Sequence, residues 1–414
     1  MREFRLSHSS GQEVRALDHG QRLVAGLPDH GRRSPLLLGG TSTVDVAAVA
    51  AWALADGHAI VLEPDGVSSP VPGTRLTLCG GAPGCTPGDR GEPTGWHVAM
   101  FTSGSTGPAR GYGFTLDQLD QLAAWYRTIY GASRASAFIT HLPVTYNFTF
   151  VAGLYLAAKL GARLHLAASP ADVFTEAAQL VPGHDRCVIL ANPVVLSRPP
   201  ATRLAESVLI DSGGAPLSTW AITHYRFNVA DLREGYGLTE TGSLTHFDTE
   251  ARLASLGTVG QAMPGVRARI IEIDGKPRVH VTTPALGVPI AGEPSATCEI
   301  LTGDIGRIDR AGRLRLLGRS DDHSVNGRWP RDTLDLIGPI LGTEPALVSH
   351  PTTGSVQVRL RRAPGDDVIQ VMRTTIASHL DIHDDAVSVD HSNTSLLHSH
   401  KIPRQAPAPT KETR

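Results

Sequence analysis

The sequence has 414 residues, of which 41% are hydrophobic, and 38 basic and 40 acidic side chains give it a formal charge of −2. Its length predicts two or three domains with a sizeable core. The near-neutral charge provides no field to hold nucleic acid or an anionic membrane, so neither is an expected partner. The four cysteines lack Cys-x-x-Cys spacing and the N-terminus lacks a signal peptide. We therefore expect a cytoplasmic protein, either monomer or homodimer.

A helix followed by a short buried strand recurs in the first part of the chain. Val44–Ala55 is Ala-rich and predicts a helix that ends at Asp56–Gly57, after which His58–Leu62 predicts a strand. The same pattern returns in Leu154–Leu160 and Arg163–Ala167. This alternation predicts an α/β fold built on a parallel sheet.

The region between these repeats combines a loop, a strand and a long helix. Pro70–Gly95 is rich in Gly and Pro and predicts a loop, whereas Trp96–Phe101 predicts a strand. Thr115 and Gln118 have the spacing of a capping box, and apolar residues follow them at helical spacing. Gly131 is the predicted end of this helix.

The last third of the chain predicts antiparallel strands and then a small α+β unit. Val266–Ile273 and Arg278–Thr282 flank Asp274–Gly275, a typical hairpin turn. We predict a layered α/β N-terminal domain over residues 1–320 with a β-rich subdomain over about 255–318. A small mobile α+β C-terminal domain is predicted over residues 321–405, and residues 406–414 are rich in Pro and polar residues, which predicts disorder.

A polar glycine loop between the strand and the long helix is the main functional feature of the sequence. Glycines allow the backbone N–H groups to approach an anion closely, and hydroxyls add further donors. Arg110 adds a permanent positive charge. The remaining predicted phosphate-binding residues of the loop are Thr102, Ser103, Gly104, Ser105, Thr106 and Gly107. The loop alone is equally compatible with a polar loop that binds nothing.

Two familiar phosphate-binding motifs do not fit this loop. A P-loop beginning at Gly104 requires a second glycine where Ala109 stands. A dinucleotide fingerprint beginning at Gly111 requires its third glycine where Leu116 stands. The loop therefore belongs to neither of these nucleotide-binding classes.

The loop resembles the signature Thr-Ser-Gly-Ser/Thr-Thr-Gly-x-Pro-Lys-Gly of the adenylate-forming superfamily. This superfamily includes acyl-CoA and aryl-CoA synthetases, luciferases and the adenylation domains of peptide synthetases. Ala109 and Arg110 replace the Pro and Lys of the signature, and Arg110 keeps the charge. The resemblance implies a layered α/β N-terminal domain, a small mobile α+β C-terminal domain, and ATP and Mg²⁺ as cofactors.

Further motifs follow in the order that this superfamily has. Ser212–Pro216 resembles the segment that lines the adenine pocket, and Tyr236–Thr241 resembles the Tyr-Gly-x-Thr-Glu motif. By this resemblance Tyr236 stacks on adenine, Thr239 contacts the α-phosphate and Glu240 binds Mg²⁺. The other residues that these two motifs add to the predicted nucleotide site are Gly213, Gly214, Ala215, Pro216 and Gly237.

The remaining motifs carry the predicted ribose, hinge and lysine residues. Asp304, in Thr-Gly-Asp, is implied to bind the ribose hydroxyls, and Arg319 is implied to lie near the ribose. Asp321 is the implied hinge between domains. Lys401 resembles the catalytic lysine of the C-terminal domain, and we predict Arg110, Thr239 and Glu240 as its catalytic partners.

An aromatic acid is the predicted substrate. Tyr146, Phe148 and Gly237 lie in segments that border the acid pocket of this family, although the two aromatics are equally compatible with core packing. Val325–Pro330 is similar to a stretch of benzoate-type aryl-CoA ligases. Gly327 would there help to form the thiol-accepting face, and one position before Val325 is missing, because Ser324 directly precedes it.

The predicted function is ATP-dependent adenylation of a small acid, followed by transfer to CoA or to an acyl carrier protein. One alternative is the same chemistry with an unusual acid or acceptor, such as amide formation or nitrite activation for diazotisation of an aryl amine. Another alternative is a nucleotide-binding regulator without turnover.

Overall fold

A computed structural model of the protein describes residues 1–25, 35–39, 44–64, 74–77, 84–86, 95–102, 109–290, 298–362 and 364–390. The helices are α1 Ala16–Val24, α2 Val44–Ala55, α3 Leu116–Tyr130, α4 Asn147–Thr149, α5 Leu156–Leu160, α6 Asp172–Leu180, α7 Thr219–Asn228, α8 Pro330–Leu341 and α9 Asp366–Leu380. Among these helices, none has the length and apolar character that crossing a bilayer requires.

The strands of the first half are β1 Arg5–His8, β2 Glu13–Arg15, β3 Leu36–Gly39, β4 Ile60–Glu63, β5 Thr74–Thr77, β6 Gly84–Thr86, β7 Val98–Phe101, β8 Gly111–Phe114, β9 Ser136–Thr140, β10 Arg163–Leu166, β11 Arg186–Ala191 and β12 Val208–Ser212. Those of the second half are β13 Asp231–Tyr236, β14 His246–Phe247, β15 Gln261–Ala262, β16 Arg267–Ile273, β17 Lys276–Thr282, β18 Val288–Pro289, β19 Glu299–Ile308, β20 Leu314–Arg319, β21 Ala346–Ser349, β22 Val356–Leu360 and β23 Val387–Asp390.

Two large mixed sheets contain β1 to β15 and β18. One sheet has the order β15-β14-β13-β12-β11-β9-β10-β1-β2, and the other has the order β18-β8-β7-β4-β3-β5-β6. Their central strands pair in parallel, for example β11 with β12 and β12 with β13. The predicted α/β fold with parallel sheets is therefore confirmed.

Helix α2 fills the space between the two large sheets. It contacts β1 of one sheet and β3 and β4 of the other. Its residues are buried on nearly all sides, as expected for a helix that is apolar all round. A Cβ at Gly20 of α1 would lie 2.3 Å from the carbonyl oxygen of Ala48, so only glycine allows α1 to cross α2 this closely.

The predicted helix boundaries agree with the structure. Thr115 caps α3 in a capping box with Gln118, and Gly131 ends this helix in the left-handed conformation. Gly57 and Gly161 have positive φ values of 86° and 73° after their helices. One difference is that Phe150–Tyr155 forms a π-helical segment between α4 and α5, which the apolar pattern did not distinguish from an α-helix.

The prediction that Pro70–Gly95 is a loop was wrong for two parts of it that the structure describes, Thr74–Thr77 and Gly84–Thr86, which form strands. Strand β5 pairs in parallel with β3, and β6 pairs antiparallel with β5, so both extend the edge of the second sheet. The Gly and Pro content suggested a loop, but the sequence Thr-Arg-Leu-Thr of β5 has residues that suit a pleated edge strand. Leu76 is buried against the core.

The antiparallel region and the C-terminal α+β unit follow these sheets. Strands β16, β17, β19 and β20 form a four-stranded antiparallel sheet, and Asp274 and Gly275 make the predicted hairpin turn with positive φ values. Strands β21, β22 and β23 form a three-stranded sheet packed with α8 and α9. A separate hydrophobic cluster reaches from Val325 to Val387. The proposed boundary at residue 320 is compatible with this second core.

Candidate active site

A cleft of about 970 Å³ lies at the carboxyl ends of β12 and β13, where ligands commonly bind in α/β folds. Residues of β19, β20, α8 and β21 complete its walls. The predicted nucleotide and acid residues that the structure describes all line this cleft: Thr102, Arg110, Tyr146, Phe148, Gly213, Gly214, Ala215, Pro216, Tyr236, Gly237, Thr239, Glu240, Asp304 and Arg319. The predicted residues Ser103, Gly104, Ser105, Thr106, Gly107 and Lys401 lie outside the described residues.

A hydrogen-bonded group of three predicted residues lies in one wall of the cleft. Arg319 Nη1 donates to Asp304 Oδ1 across 2.7 Å, and the Tyr236 hydroxyl donates to Asp304 Oδ2 across 2.7 Å. The backbone N–H of Asp304 donates to Thr302 Oγ1. Since each carboxylate oxygen has further lone-pair capacity, Asp304 can still accept hydrogen bonds from a diol.

Electrostatics and packing hold this group in place. The Asp304 carboxylate raises the pKa of Arg319, while burial and then Asp304 raise the pKa of Tyr236 far above its ordinary range. Both side chains therefore keep their protons and remain hydrogen-bond donors. A Cβ at Gly303 would lie 2.6 Å from Arg319 Nη2, so the glycine provides the space that this arginine occupies.

The polar glycine loop connects β7 and β8, which pair antiparallel. Its two described ends are joined twice, because the Thr102 N–H donates to the Arg110 carbonyl and the Arg110 N–H donates to Thr102 Oγ1, both across 2.9 Å. Thr102 and Arg110 therefore fix the base of the loop beside the cleft. The loop residues between them stay a prediction.

Glu240 is the predicted metal ligand, and its side chain is only 9% exposed. Tyr112 lies beside this carboxylate, and burial and then Glu240 raise the pKa of Tyr112. Sequence reasoning missed Tyr112. The sequence did contain a feature that could have identified Tyr112: it lies two residues after Arg110 in an extended segment, where alternate residues point to the same side. One buried carboxylate suits Mg²⁺, which is usually bound through one or two carboxylates together with substrate phosphates.

Aromatic rings form the part of the cleft that was predicted to hold the acid. Phe148 packs near Tyr126, with their ring centroids 6.5 Å apart, and Tyr146 precedes α4. A Cβ at Gly213 would lie 3.5 Å from the Phe148 ring, so this ring borders the glycine segment after β12. Phe148 thus serves both core packing and the cleft wall, which combines the two interpretations given by the sequence.

Gly237 lies where two chain segments nearly touch. A Cβ at this position would lie 2.2 Å from the carbonyl carbon of Ser243, so any side chain would displace the backbone. Ser243 has a φ of 87°, and its Oγ lies 3.0 Å from the Tyr126 hydroxyl. Tyr126 and Ser243 line the cleft, and sequence reasoning did not assign either to it.

A buried aspartate, Asp211, also lines the cleft next to this aromatic region. The Tyr130 hydroxyl donates to Asp211 Oδ2 across 2.5 Å. Burial raises the pKa of Asp211 to about 7, while the hydrogen bond from Tyr130 lowers it. Sequence reasoning did not single out Asp211, although it directly precedes the Ser212–Pro216 motif.

At the junction between the two hydrophobic cores, the buried carboxylate belongs to Asp322, one residue after the predicted hinge Asp321. Asp321 is exposed, whereas Asp322 is fully buried and accepts from the N–H groups of Arg319 and His350 across 2.7 and 3.0 Å. Asp322 therefore connects β20 to the segment after β21. The hinge role of Asp321 stays a prediction.

Gly327 lies apart from the cleft. Asn326 and Gly327 have positive φ values in a turn closed by a bridge between Val325 and Arg328. Asn326 Nδ2 donates to the Leu380 carbonyl across 2.6 Å, and Gly327 is exposed. In this arrangement Gly327 is not among the described residues that line the cleft.

Comparison with known proteins agrees with this geometry. Residues 51–288, more than half of the chain, match the profile of a family described as AMP-binding enzyme. The chain is 26% identical over 246 residues to a long-chain-fatty-acid–CoA ligase of Escherichia coli O6:H1, which covers 54% of this chain and 44% of that relative. The chain thus spans less than half the length of this relative.

Solved structures show the same fold over nearly the whole chain. A benzoate CoA ligase from Burkholderia xenovorans LB400 has a TM-score of 0.74 at 15% identity, covering 97% of this chain and 96% of that one. The O-succinylbenzoate coenzyme A synthetase of Bacillus subtilis, solved with ATP and a magnesium ion, also has a TM-score of 0.74, at 17% identity and with the same coverage. These similarities confirm the predicted fold.

Proposed function

Because the chain belongs to the AMP-binding enzyme family, we propose that its cleft transfers the AMP part of ATP to a small carboxylic acid. Membership of this family agrees with the adenylate-forming signature in the sequence. The observation that carries the proposal is that ribose, phosphate and acid residues expected from separate motifs line one cleft. Pyrophosphate is the second product of this reaction.

The nucleotide would be held by the wall that contains Asp304. Its carboxylate would accept hydrogen bonds from the ribose hydroxyls in addition to those from Arg319 and Tyr236. The ring of Tyr236 would stack on adenine, against the segment Gly213–Pro216. The Asp304–Arg319 contact and the buried Tyr236 support this orientation, because they are already in place before any ligand binds.

The chemistry requires an anion to attack another anion. A carboxylate oxygen of the acid forms a bond to the α-phosphorus while the bond from that phosphorus to the pyrophosphate oxygen breaks, and the electron pair leaves with pyrophosphate. Bound Mg²⁺, with Glu240 as its ligand, would neutralise charge on the phosphates. Thr239 would contact the α-phosphate, and Arg110 and Lys401 would reduce the repulsion further.

An aromatic acid is the substrate that the cleft best accommodates. Tyr146 and Phe148 provide ring faces, and Gly237 lines the same cleft. Rings of this kind stabilise a planar acid through offset or edge-to-face contacts. One protein that shares this fold is named a benzoate CoA ligase.

The acyl adenylate would then be transferred to CoA or to an acyl carrier protein. We propose that residues 321–405 turn as a unit about Asp321 between the two steps, which brings Lys401 to the cleft and removes it. The separate hydrophobic cluster from Val325 to Val387 supports a unit that moves without losing its own core.

Exchange of labelled pyrophosphate into ATP tests this function. The purified protein is incubated with ATP, Mg²⁺ and one acid at a time from a panel of benzoates, fatty acids and small polar acids. Control reactions omit either the acid or Mg²⁺. We expect exchange that depends on both the acid and Mg²⁺. Calorimetric binding of ATP without any exchange would instead indicate a nucleotide-binding regulator. Product formation without CoA, detected by mass spectrometry, would indicate an amine or another unusual acceptor.

A further inference from the structure

We propose that Asp211 determines acid specificity and makes the cleft select aromatic acids that carry a hydroxyl or amino group on the ring. This inference rests on the proposed function and adds the class of acid. The shared chemistry of the two substituents is a neutral hydrogen-bond donor, an O–H or N–H group. Asp211 would act in its ionised form, with Oδ1 accepting that hydrogen bond.

Asp211 is 1% exposed and has its two carboxylate oxygens in unequal situations. Oδ2 accepts a hydrogen bond from Tyr130, whereas Oδ1 is buried and has no hydrogen-bond partner among the residues that the structure describes. Buried polar atoms nearly always have a partner, because losing water without replacing it is unfavourable. An acceptor without a partner at the wall of a substrate cleft is therefore a site for a donor from the substrate.

The space beside Oδ1 is provided by Gly235 on the neighbouring strand. A Cβ at Gly235 would lie 3.2 Å from Asp211 Oδ1, and both residues line the cleft. A side chain at Gly235 would therefore occupy the space next to this oxygen. The same Cβ would lie 3.4 Å from Phe247 Cδ2, so the absent side chain leaves a small space between Oδ1 and the Phe247 ring, which a substituent of the bound acid would enter.

The surroundings of Asp211 combine aromatic walls with polar atoms. Phe148 provides a ring face, while the Tyr126 hydroxyl and Ser243 Oγ lie 3.0 Å apart in the same part of the cleft. An unsubstituted ring would place C–H groups against Oδ1 and leave it buried without a partner. Sites built to bond a substrate O–H or N–H reject analogues that lack the group, for this reason.

The contact with Tyr130 makes a sharp substitution possible. In Asp211→Asn the amide oxygen can accept from the Tyr130 hydroxyl, as Oδ2 does now. The amide NH₂ then takes the place of Oδ1, so an acceptor is replaced by a donor of nearly the same size. The variant should lose its preference for hydroxyl and amino groups and gain one for acceptors such as methoxy groups.

The test compares kcat/KM in pyrophosphate exchange, at a pH well above 7 where Asp211 is ionised, for benzoate and for its hydroxy, amino and methoxy derivatives at each ring position. At the best position we expect the wild type to prefer the hydroxy or amino acid over benzoate by roughly tenfold to a hundredfold. Comparison of the hydroxybenzoates with the aminobenzoates shows which hydrogen-bond donor the site prefers. Asp211→Asn should remove or reverse this preference. Calorimetric binding of the same acids provides a second readout that does not depend on turnover.

Asp120→Asn is the matched control, because Asp120 accepts a hydrogen bond from Tyr155 across 2.6 Å outside the described cleft lining. It should leave the preference unchanged. An equal preference in the wild type and in Asp211→Asn would overturn the inference. Exchange with aliphatic acids alone would also overturn it, but the proposed transfer of AMP to an acid would still hold. Absence of exchange with every acid would overturn the proposed function. Calorimetric binding of the same acids to the wild type and to Asp211→Asn would then test the inference separately, and equal preferences would overturn it.

Discussion

Asp304 and Arg319 are register partners on the antiparallel strands β19 and β20, and their side chains are joined by a 2.7 Å ion pair at the wall of the cleft. The pairing of the two strands places both side chains at one level, so the carboxylate is oriented before a nucleotide arrives. Preorganisation of this kind lowers the entropic cost of binding.

Asp304→Asn should weaken ATP binding about tenfold to a hundredfold, since hydrogen bonds to a charged group contribute about 1.5–3 kcal/mol. The amide has fewer acceptor sites and no charge, so it cannot serve Arg319, Tyr236 and a ribose together. Calorimetric Kd values for ATP and AMP measure the loss. The control is Asp309→Asn, which alters another aspartate–arginine contact, 2.8 Å to Arg313, in the turn between β19 and β20. Equal Kd values for the wild type and Asp304→Asn would contradict the ribose role.

Tyr112→Phe should raise the Mg²⁺ concentration needed for half-maximal pyrophosphate exchange by roughly tenfold to a hundredfold, the usual effect of losing a partner of a metal ligand. The change removes the hydroxyl beside Glu240 and leaves the ring in place. Tyr155→Phe removes a comparable hydrogen bond to Asp120 and should leave the Mg²⁺ requirement unchanged. If Tyr112→Phe and Glu240→Gln both keep the wild-type requirement, Glu240 does not bind the metal.

Ionisation of the buried Asp211 carboxyl should lower the free energy of unfolding as pH rises. Burial raises its pKa from 3.8 to about 7, so the folded chain holds this proton over a range where the unfolded chain has lost it. The free energy of unfolding therefore falls between about pH 4 and pH 7. The facing titratable groups, Tyr126 and Tyr130 of α3, stay neutral in this range because their pKa values are raised well above 10.

Asp211→Asn removes this proton, so its stability relative to the wild type should improve steadily from about pH 4 to about pH 7. Urea unfolding at several pH values measures the difference. Tyr130→Phe lacks the hydrogen bond that lowers the pKa of Asp211. In this variant the decrease in the free energy of unfolding should therefore continue to a higher pH than in the wild type. A difference between Asp211→Asn and wild type that does not vary with pH would show that the carboxyl does not titrate in this range.

Lys401→Ala should reduce the adenylation rate by ~10²–10³, the effect of removing one group that stabilises developing charge. The lysine follows the described part of the chain, so this prediction derives from the sequence motif alone. Lys411→Ala, ten residues further on, is the matched control and should retain the wild-type rate. A near-normal adenylation rate in Lys401→Ala would remove the lysine from the mechanism.

The sequence was informative wherever a signal was local. Helix α3 followed from its capping residues Thr115 and Gln118, and the hairpin at Asp274 followed from its turn chemistry. The short strands at this side of the sheet were less predictable, because β5 depends on pairing with β3 and β6 depends on pairing with β5, in a region whose own sequence is rich in Gly and Pro. Pairing across the sheet decided their structure.

In the candidate site, residues within motifs could be predicted, whereas their partners could not. Tyr126 belonged to the apolar face of α3 by its spacing, but its partner Ser243 is 117 residues away. Tyr130 and Asp211 are separated by 81 residues. Such contacts follow from the way α3 packs against β12 and against the segment that contains Ser243, which local patterns do not contain.

The position of bond formation tests the central claim most directly. A single turnover is run with ATP, Mg²⁺ and an aromatic acid whose carboxylate carries oxygen-18, and CoA or hydroxylamine is then added as acceptor. Attack of the acid on the α-phosphorus predicts AMP that contains one oxygen-18 atom, together with unlabelled pyrophosphate. Formation of ADP, or of AMP without the label, would contradict the proposal that this cleft adenylates an acid.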